Sequence, residues 1–175
     1  MEGAQMVADA LERIKGILQR VLMGLPNDDL HRQPRHDCNP IAWLAWHLTR
    51  VQDDHLSNLA VREQAWTADG WHARFGMEAD PHNLGGGHTP SQVAAFRTPD
   101  AQTLLDYHNA VLERSKAYLE TLATADLDRV LDEPQWQTPV TVGVRLMSVI
   151  NDNTQHAGQA AYLRGLFHGL GWQRF

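Results

Sequence analysis

This 175-residue chain predicts an all-α fold, a four-helix bundle whose helices run up-down-down-up. Three observations lead there. Apolar residues recur at helical spacing in four long segments, the later ones opening on recognisable start signals. Strand signals are weak throughout. Finally, roughly forty residues separate the second and third segments, where neighbouring antiparallel helices use ~2–8. A connection that long can return along the bundle and lay two consecutive helices parallel.

The first helix is expected from about Met6 to about Gly24, with Val7, Leu11, Ile14, Ile17, Leu18, Val21 and Leu22 forming its apolar stripe. Pro26 and the polar run NDDLHRQPRHD end it. In the second, Asn39 is the expected cap and Pro40 the first helical residue, and the helix continues to about Leu59. Thr98, Pro99 and Asp100 start the third, which runs to about Leu122 with Leu104, Leu105, Val111, Leu112, Tyr118 and Leu119 on its core face. The fourth begins near Thr141 and reaches about His168, where Gly169 and Gly171 stop it. The run PVTVGV alternates like a strand, but its continuation RLMSVINDN reads as helix. Residues 1–175 are expected to form one domain.

Composition narrows the function. The apolar fraction is 43%, the charged fraction 21%, and the net charge −6 with a pI near 5.9, values that disfavour nucleic acid and anionic membranes as partners. One cysteine, Cys38, rules out an internal disulfide and a multi-cysteine zinc site, and a cytoplasmic setting is the expectation. No stretch approaches the ~18 apolar residues of a membrane span.

The segment SVINDNTQHAGQAAYLRG holds the chemistry. Asp152 and His156 stand four apart on one helix, so they project from the same face, with Gly158 and Gln159 directly after. A carboxylate and an imidazole so placed can occupy two positions of a divalent metal such as zinc or nickel. His47, in the otherwise apolar stretch NPIAWLAWHLTRVQDDHL, can supply a third, leaving a position for water or substrate. A plainer reading stays open: an i,i+4 surface pair worth ~0.2–0.5 kcal/mol and a hydrogen-bonded core histidine. His82 and His88 flank a glycine run and read as solvated. His36 with Cys38 lacks a partner pair, and His55, His72, His108 and His168 have no partner that spacing identifies. There is no HExxH, no pair of ExxH helices, no phosphate loop and no GxSxG elbow.

His47 in WLAWHLTRVQDDHL, with Asp152, His156, Gly158 and Gln159 in INDNTQHAGQAAYLRG, resembles the DinB-like family of metalloenzymes. That family includes mycothiol- and bacillithiol-dependent S-transferases. The resemblance implies an up-down-down-up bundle and a metal held by His47, Asp152 and His156. Many relatives have histidine at the position of Asp152; a carboxylate there is similar to the mycothiol branch. It further implies a low-molecular-weight thiol, mycothiol by that likeness, ionised at the metal and attacking an electrophile. Trp43, Trp46 or the loop aromatics would hold the electrophile; Arg50 would grip an anionic part of thiol or substrate, or else pair with Asp53 or Asp54 at the surface; and Gln159 would orient a ligand or face a neighbouring helix. The expected assembly is a homodimer. The segment from about Ala65 to about His88 is expected to close over the metal, with Trp66, Trp71 and Phe75 as pocket lining. Two alternatives use the same residues: a non-catalytic bundle that binds a ligand or dimerises, and a metal-dependent hydrolase.

Overall fold

The computed structural model describes residues 2–133 and 137–172. Its elements in chain order are α1 (Gly3–Leu22), α2 (Asn27–Leu30), α3 (Ile41–Leu59), α4 (Ala65–Ala68), α5 (Trp71–Arg74), α6 (Pro90–Ala95), α7 (Ala101–Leu119), a 3-10 turn (Thr124–Asp128) and α8 (Val142–His168). Among the described residues there is no strand, only an isolated antiparallel bridge between Val130 and Thr141. The protein is thus all-helical, with eight α-helices where periodicity marked four. The extra ones are single turns or little more inside the connections, too short to show a repeating apolar stripe.

Local chemistry explains the ends. Gln5 Oε1 accepts from the Glu2 N–H at 3.0 Å, which starts α1 earlier than its apolar stripe does. Asp100 Oδ1 accepts from the Thr103 N–H at 2.7 Å and caps α7. Thr141 Oγ1 accepts from the Val144 N–H at 3.2 Å and caps α8, which Gly169 ends at φ +73°. The expected Asn39 cap is corrected: Pro40 is the cap residue, in extended conformation, and no side chain caps α3. Because Pro40 precedes the first helical residue, Asn39 is left one step outside the helix.

α1 and α3 each pack against both α7 and α8, around one continuous apolar cluster that includes Leu11, Leu18, Leu44, Trp46, Val111, Leu112, Val149 and Ala160. Trp66, Trp71 and Phe75 belong to this cluster as well. The expectation that they line a pocket is corrected for the two tryptophans, while Phe75 also borders a cavity of about 320 Å³ with Asn83 and His88. All three rings pack against Tyr107 at 5.3–5.8 Å between centroids, because a long crossover must bury apolar weight of its own to stay on the bundle.

A polar seam crosses the centre. Gln52 Nε2 donates to Ser115 Oγ at 3.0 Å, and Asn153 Nδ2 donates to Gln52 Oε1 at 2.9 Å, joining α3, α7 and α8. Thr49 gives its hydroxyl hydrogen to Ala45 O at 2.8 Å, so at 3.0 Å from His108 Nδ1 its oxygen accepts. His108 Nε2 is buried with no hydrogen-bond partner among the described residues.

Burial, reinforced by the nearby positive charge of Lys15, pushes His108 down to about 4. Its folded value lies below the ~6.5 of an unfolded histidine, so the associated stability is present above pH 6.5 and is lost as pH falls toward 4. The expected loss is about 3 kcal/mol. Urea midpoints measured between pH 7 and pH 4 should fall, and should fall clearly less in His108→Gln. An equal decline in both proteins would remove His108 as the cause.

Candidate metal centre

α3 and α8 lie side by side with His47 on one and Asp152 and His156 on the other. One ligand atom from each of these three residues lies within 4.8 Å of the other two. Asp152 Oδ1 and His156 Nε2 are 3.5 Å apart, close to the spacing of two ligands around a zinc with ~2.0–2.2 Å bonds. The imidazoles of His47 and His156 meet edge to face at 4.8 Å between centroids. His47 is buried, whereas His156 and Asp152 are half-buried, so the cluster is walled on one side and accessible on the other.

Both histidines are held by their far nitrogens. His47 Nδ1 donates to the Leu84 carbonyl at 2.5 Å, an acceptor that fixes the tautomer and leaves Nε2 free. His156 Nδ1 meets Gln159 Oε1 at 2.8 Å, with Nε2 turned toward Asp152. Burial pushes His47 below the usual histidine range and keeps it neutral. The hydrogen bond to Asp152 raises His156. Asp152 Oδ2 is buried without a hydrogen-bond partner among the described residues. An anionic oxygen left so is costly unless a cation is supplied. Two imidazoles held by their far nitrogens and a carboxylate with one buried, unpartnered oxygen form a donor set that fits a divalent metal.

Leu84 reaches His47 because of Gly85. At φ +93° it takes a conformation that glycine tolerates, and a Cβ there would stand 2.7 Å from Trp46, 2.8 Å from Trp43 and 3.3 Å from His47 Nδ1. Trp43 lies parallel to the His47 ring at 4.7 Å and gives its indole N–H to His88 Nδ1 at 3.2 Å. His88 in turn donates from Nε2 to Asn83 Oδ1 at 2.9 Å. The solvated reading of His88 is corrected by these bonds; His82 is exposed.

The ligand-gripping reading of Arg50 is corrected; its alternative, a pair with Asp53, is present but buried rather than at the surface. The Arg50 guanidinium is fully buried, 4.6 Å above the Trp66 ring, and each of its nitrogens donates within the protein. Nη1 donates to Gln64 Oε1 at 2.8 Å and to Tyr107 Oη at 3.3 Å, Nη2 to Pro81 O at 2.9 Å, and Nε to Asn83 O at 3.2 Å. Asp53 balances the charge at 3.6 Å. Arg50 therefore offers nothing to a ligand and instead pins the segment that carries Leu84. Trp43 is buried too and supports His47 rather than standing at the open side, whereas Gln159 is exposed beside His156. Sequence reading missed Leu84 and Asn83 and took His88 as solvated; the glycine run at 85–87 was the one visible signal of this loop.

Helices arranged this way around two histidines and a carboxylate define a helical protein with a metal-type cluster between two long helices. The chain belongs to the mycothiol S-transferase family, a DinB-like family whose model matches residues 6–169. Among solved structures it is similar to one described as a conserved protein of locus from Enterococcus faecalis, with a TM-score of 0.88 and 29% identity, covering 97% of this chain and 99% of that one. No curated protein matches the sequence.

Two variants check the support of the cluster. Gly85→Ala should push the loop off Trp43 and Trp46 and lower zinc affinity about 10–100-fold, as loss of a ligand's hydrogen-bond partner does. Competition against a chromophoric chelator reads this, with the helical circular dichroism unchanged; undiminished affinity would show that Leu84 does not orient His47. Arg50→Ala should destabilise the fold by about 3–5 kcal/mol in urea, since it strands Asp53 and frees Pro81 and Asn83. Full stability with only a weakened thiol affinity would restore the ligand-gripping role.

Proposed function

We propose that this protein is a divalent-metal-dependent thiol S-transferase that uses mycothiol as its thiol. One observation carries the reading: His47, Asp152 and His156 converge from two helices, with the buried Asp152 Oδ2 otherwise unpartnered. The family supports the thiol. The order of the cross-helix contacts supports the up-down-down-up topology. Thr49–His108 and Gln52–Ser115 ascend together along α3 and α7, while His47–His156 and Gln52–Asn153 run in opposite senses along α3 and α8.

A zinc or nickel ion held by the three side chains supplies, when bound, the acidity that ionises a thiol at neutral pH. The chain's own residues do the rest. Leu84 and Gln159 hold the two rings so that their Nε2 atoms face a common point. Asp152 contributes the negative charge, and its four-residue step from His156 sets the two groups on one face. Trp43, Trp46 and the 83–88 loop keep water from the His47 side. The half-buried Asp152–His156 side remains for thiol and electrophile. The overall reaction forms a carbon–sulfur bond and breaks the bond to the electrophile's leaving group, which departs with the electron pair. The thiol proton passes to solvent.

Elemental analysis of untagged protein should find about one divalent cation per chain, lost in His47→Ala and in His156→Ala, with Asp152→Asn weakened but folded. Purified protein should consume an alkyl halide in a mycothiol-dependent manner, and the two histidine variants should not. Full occupancy in the double histidine variant, or turnover indifferent to metal removal, would sink the proposal.

A further inference from the structure

Three glycines interrupt α8; only Gly143 is crowded by a neighbour, while Gly165 has ordinary contact room beside Trp172. A Cβ at Gly143 would lie 3.1 Å from the Leu127 carbonyl, and one at Gly165 would meet Trp172 at 3.6 Å. Among the described residues Gly158 has nothing within 4 Å, and its φ is not positive. An interior glycine weakens a helix by ~1 kcal/mol relative to alanine. At this position no neighbour among the described residues requires the space.

What Gly158 adjoins is a cleft of about 560 Å³ between α8 and the segment before α3, walled by Pro34, Cys38, Leu44, Gly158, Tyr162 and Leu163. Gln159, the residue that holds His156 at 2.8 Å, lines the same cleft. The cleft and the metal cluster therefore share a side chain. Tyr162 stands there 72% exposed, an aromatic ring with little of this chain against it.

We infer that this cleft is the subsite for the apolar body of the electrophilic co-substrate, an organic electrophile bearing an aromatic or branched alkyl group, and that Gly158 sets the size it accepts. The naming of the occupant rests on the transferase reading above. Asp37, Asn39 and Gln159 also line the cleft, but two leucines, a proline and an exposed tyrosine ring make its wall mainly apolar, which suits such a body. The body undergoes no chemistry in the cleft. The sulfur bonds to the electrophile's reactive carbon, and the leaving group departs as an anion.

Cys38, the single cysteine of the chain, reports on the cleft directly. N-phenylsuccinimide carries an apolar ring but no reactive centre. At about twice its Kd it should slow iodoacetamide alkylation of Cys38 about threefold, read by intact-protein mass spectrometry with no metal or thiol present. In Gly158→Leu that protection should disappear. Gly158→Ala should show a partial loss and a raised Tm, because alanine favours the helix. Absence of protection in the native protein, or its persistence in Gly158→Leu, overturns the subsite. In turnover assays at saturating thiol, Gly158→Leu should raise the ratio of KM for benzyl chloride to KM for methyl iodide about tenfold. An unchanged ratio overturns the specificity role. Absence of thiol-dependent turnover in the native protein overturns the transferase reading and with it the identity of the occupant, while absence of Cys38 protection in the native protein overturns the cleft alone. The two failures are thereby told apart.

Discussion

A single buried guanidinium organises this molecule. Arg50 sits in the core of α3, one turn beyond His47, and removing its charge from water is tolerable because each of its nitrogens donates within the protein and Asp53 balances the charge. Those acceptors come from far along the chain: Gln64, Pro81, Asn83 and Tyr107. Asp53 completes the set and accepts the N–H groups of Ala65 and Trp66 at 2.9 Å, which fastens the start of α4 to α3. Tyr107, raised well above the ordinary tyrosine range by burial and by Asp53, stays protonated and donates to Asp53 at 2.8 Å. The crossover is consequently bound to the bundle at both its beginning and its middle.

The candidate metal centre inherits its precision from that arrangement. Arg50 fixes Asn83 through the backbone, Asn83 fixes His88, His88 receives the Trp43 indole, and Trp43 stacks on His47. The Leu84 carbonyl closes the circuit at His47 Nδ1. One histidine is thus braced by tertiary structure, whereas the other is braced by Gln159 three residues along its own helix. The unequal bracing matches the unequal burial: the rigid side excludes solvent, and the half-buried side, built from one helix, is where a substrate can enter.

The crossover divides its labour accordingly. Its first part buries Trp66, Trp71 and Phe75 and acts as core. Its later part, from Asn83 to His88, bears few apolar side chains and works through a carbonyl, an amide and an imidazole. Glycine at 85 is what lets the later part lie flat on two tryptophans. A mainly apolar cleft lies instead between α8 and the segment before α3.

Sequence by itself determined the helices and the three candidate ligands. Periodic apolar residues mark α1, α3, α7 and α8, and the Thr141 cap and Gly169 stop bound α8, because these effects act within a turn or two of the chain. The same holds for Asp152 and His156, whose shared face follows from helix geometry, and His47 could be singled out as a polar group in an apolar stretch. Tertiary structure alone decided the roles of Arg50, Trp43, Leu84 and His88. A surface arginine and a buried one read alike at position 50, and only the fold brings Pro81 and Asn83 to it. A backbone carbonyl such as that of Leu84 has no side-chain signature at all. Which orphaned groups find partners depends on contacts thirty or more residues apart, and those are set by how the helices pack rather than by any local pattern.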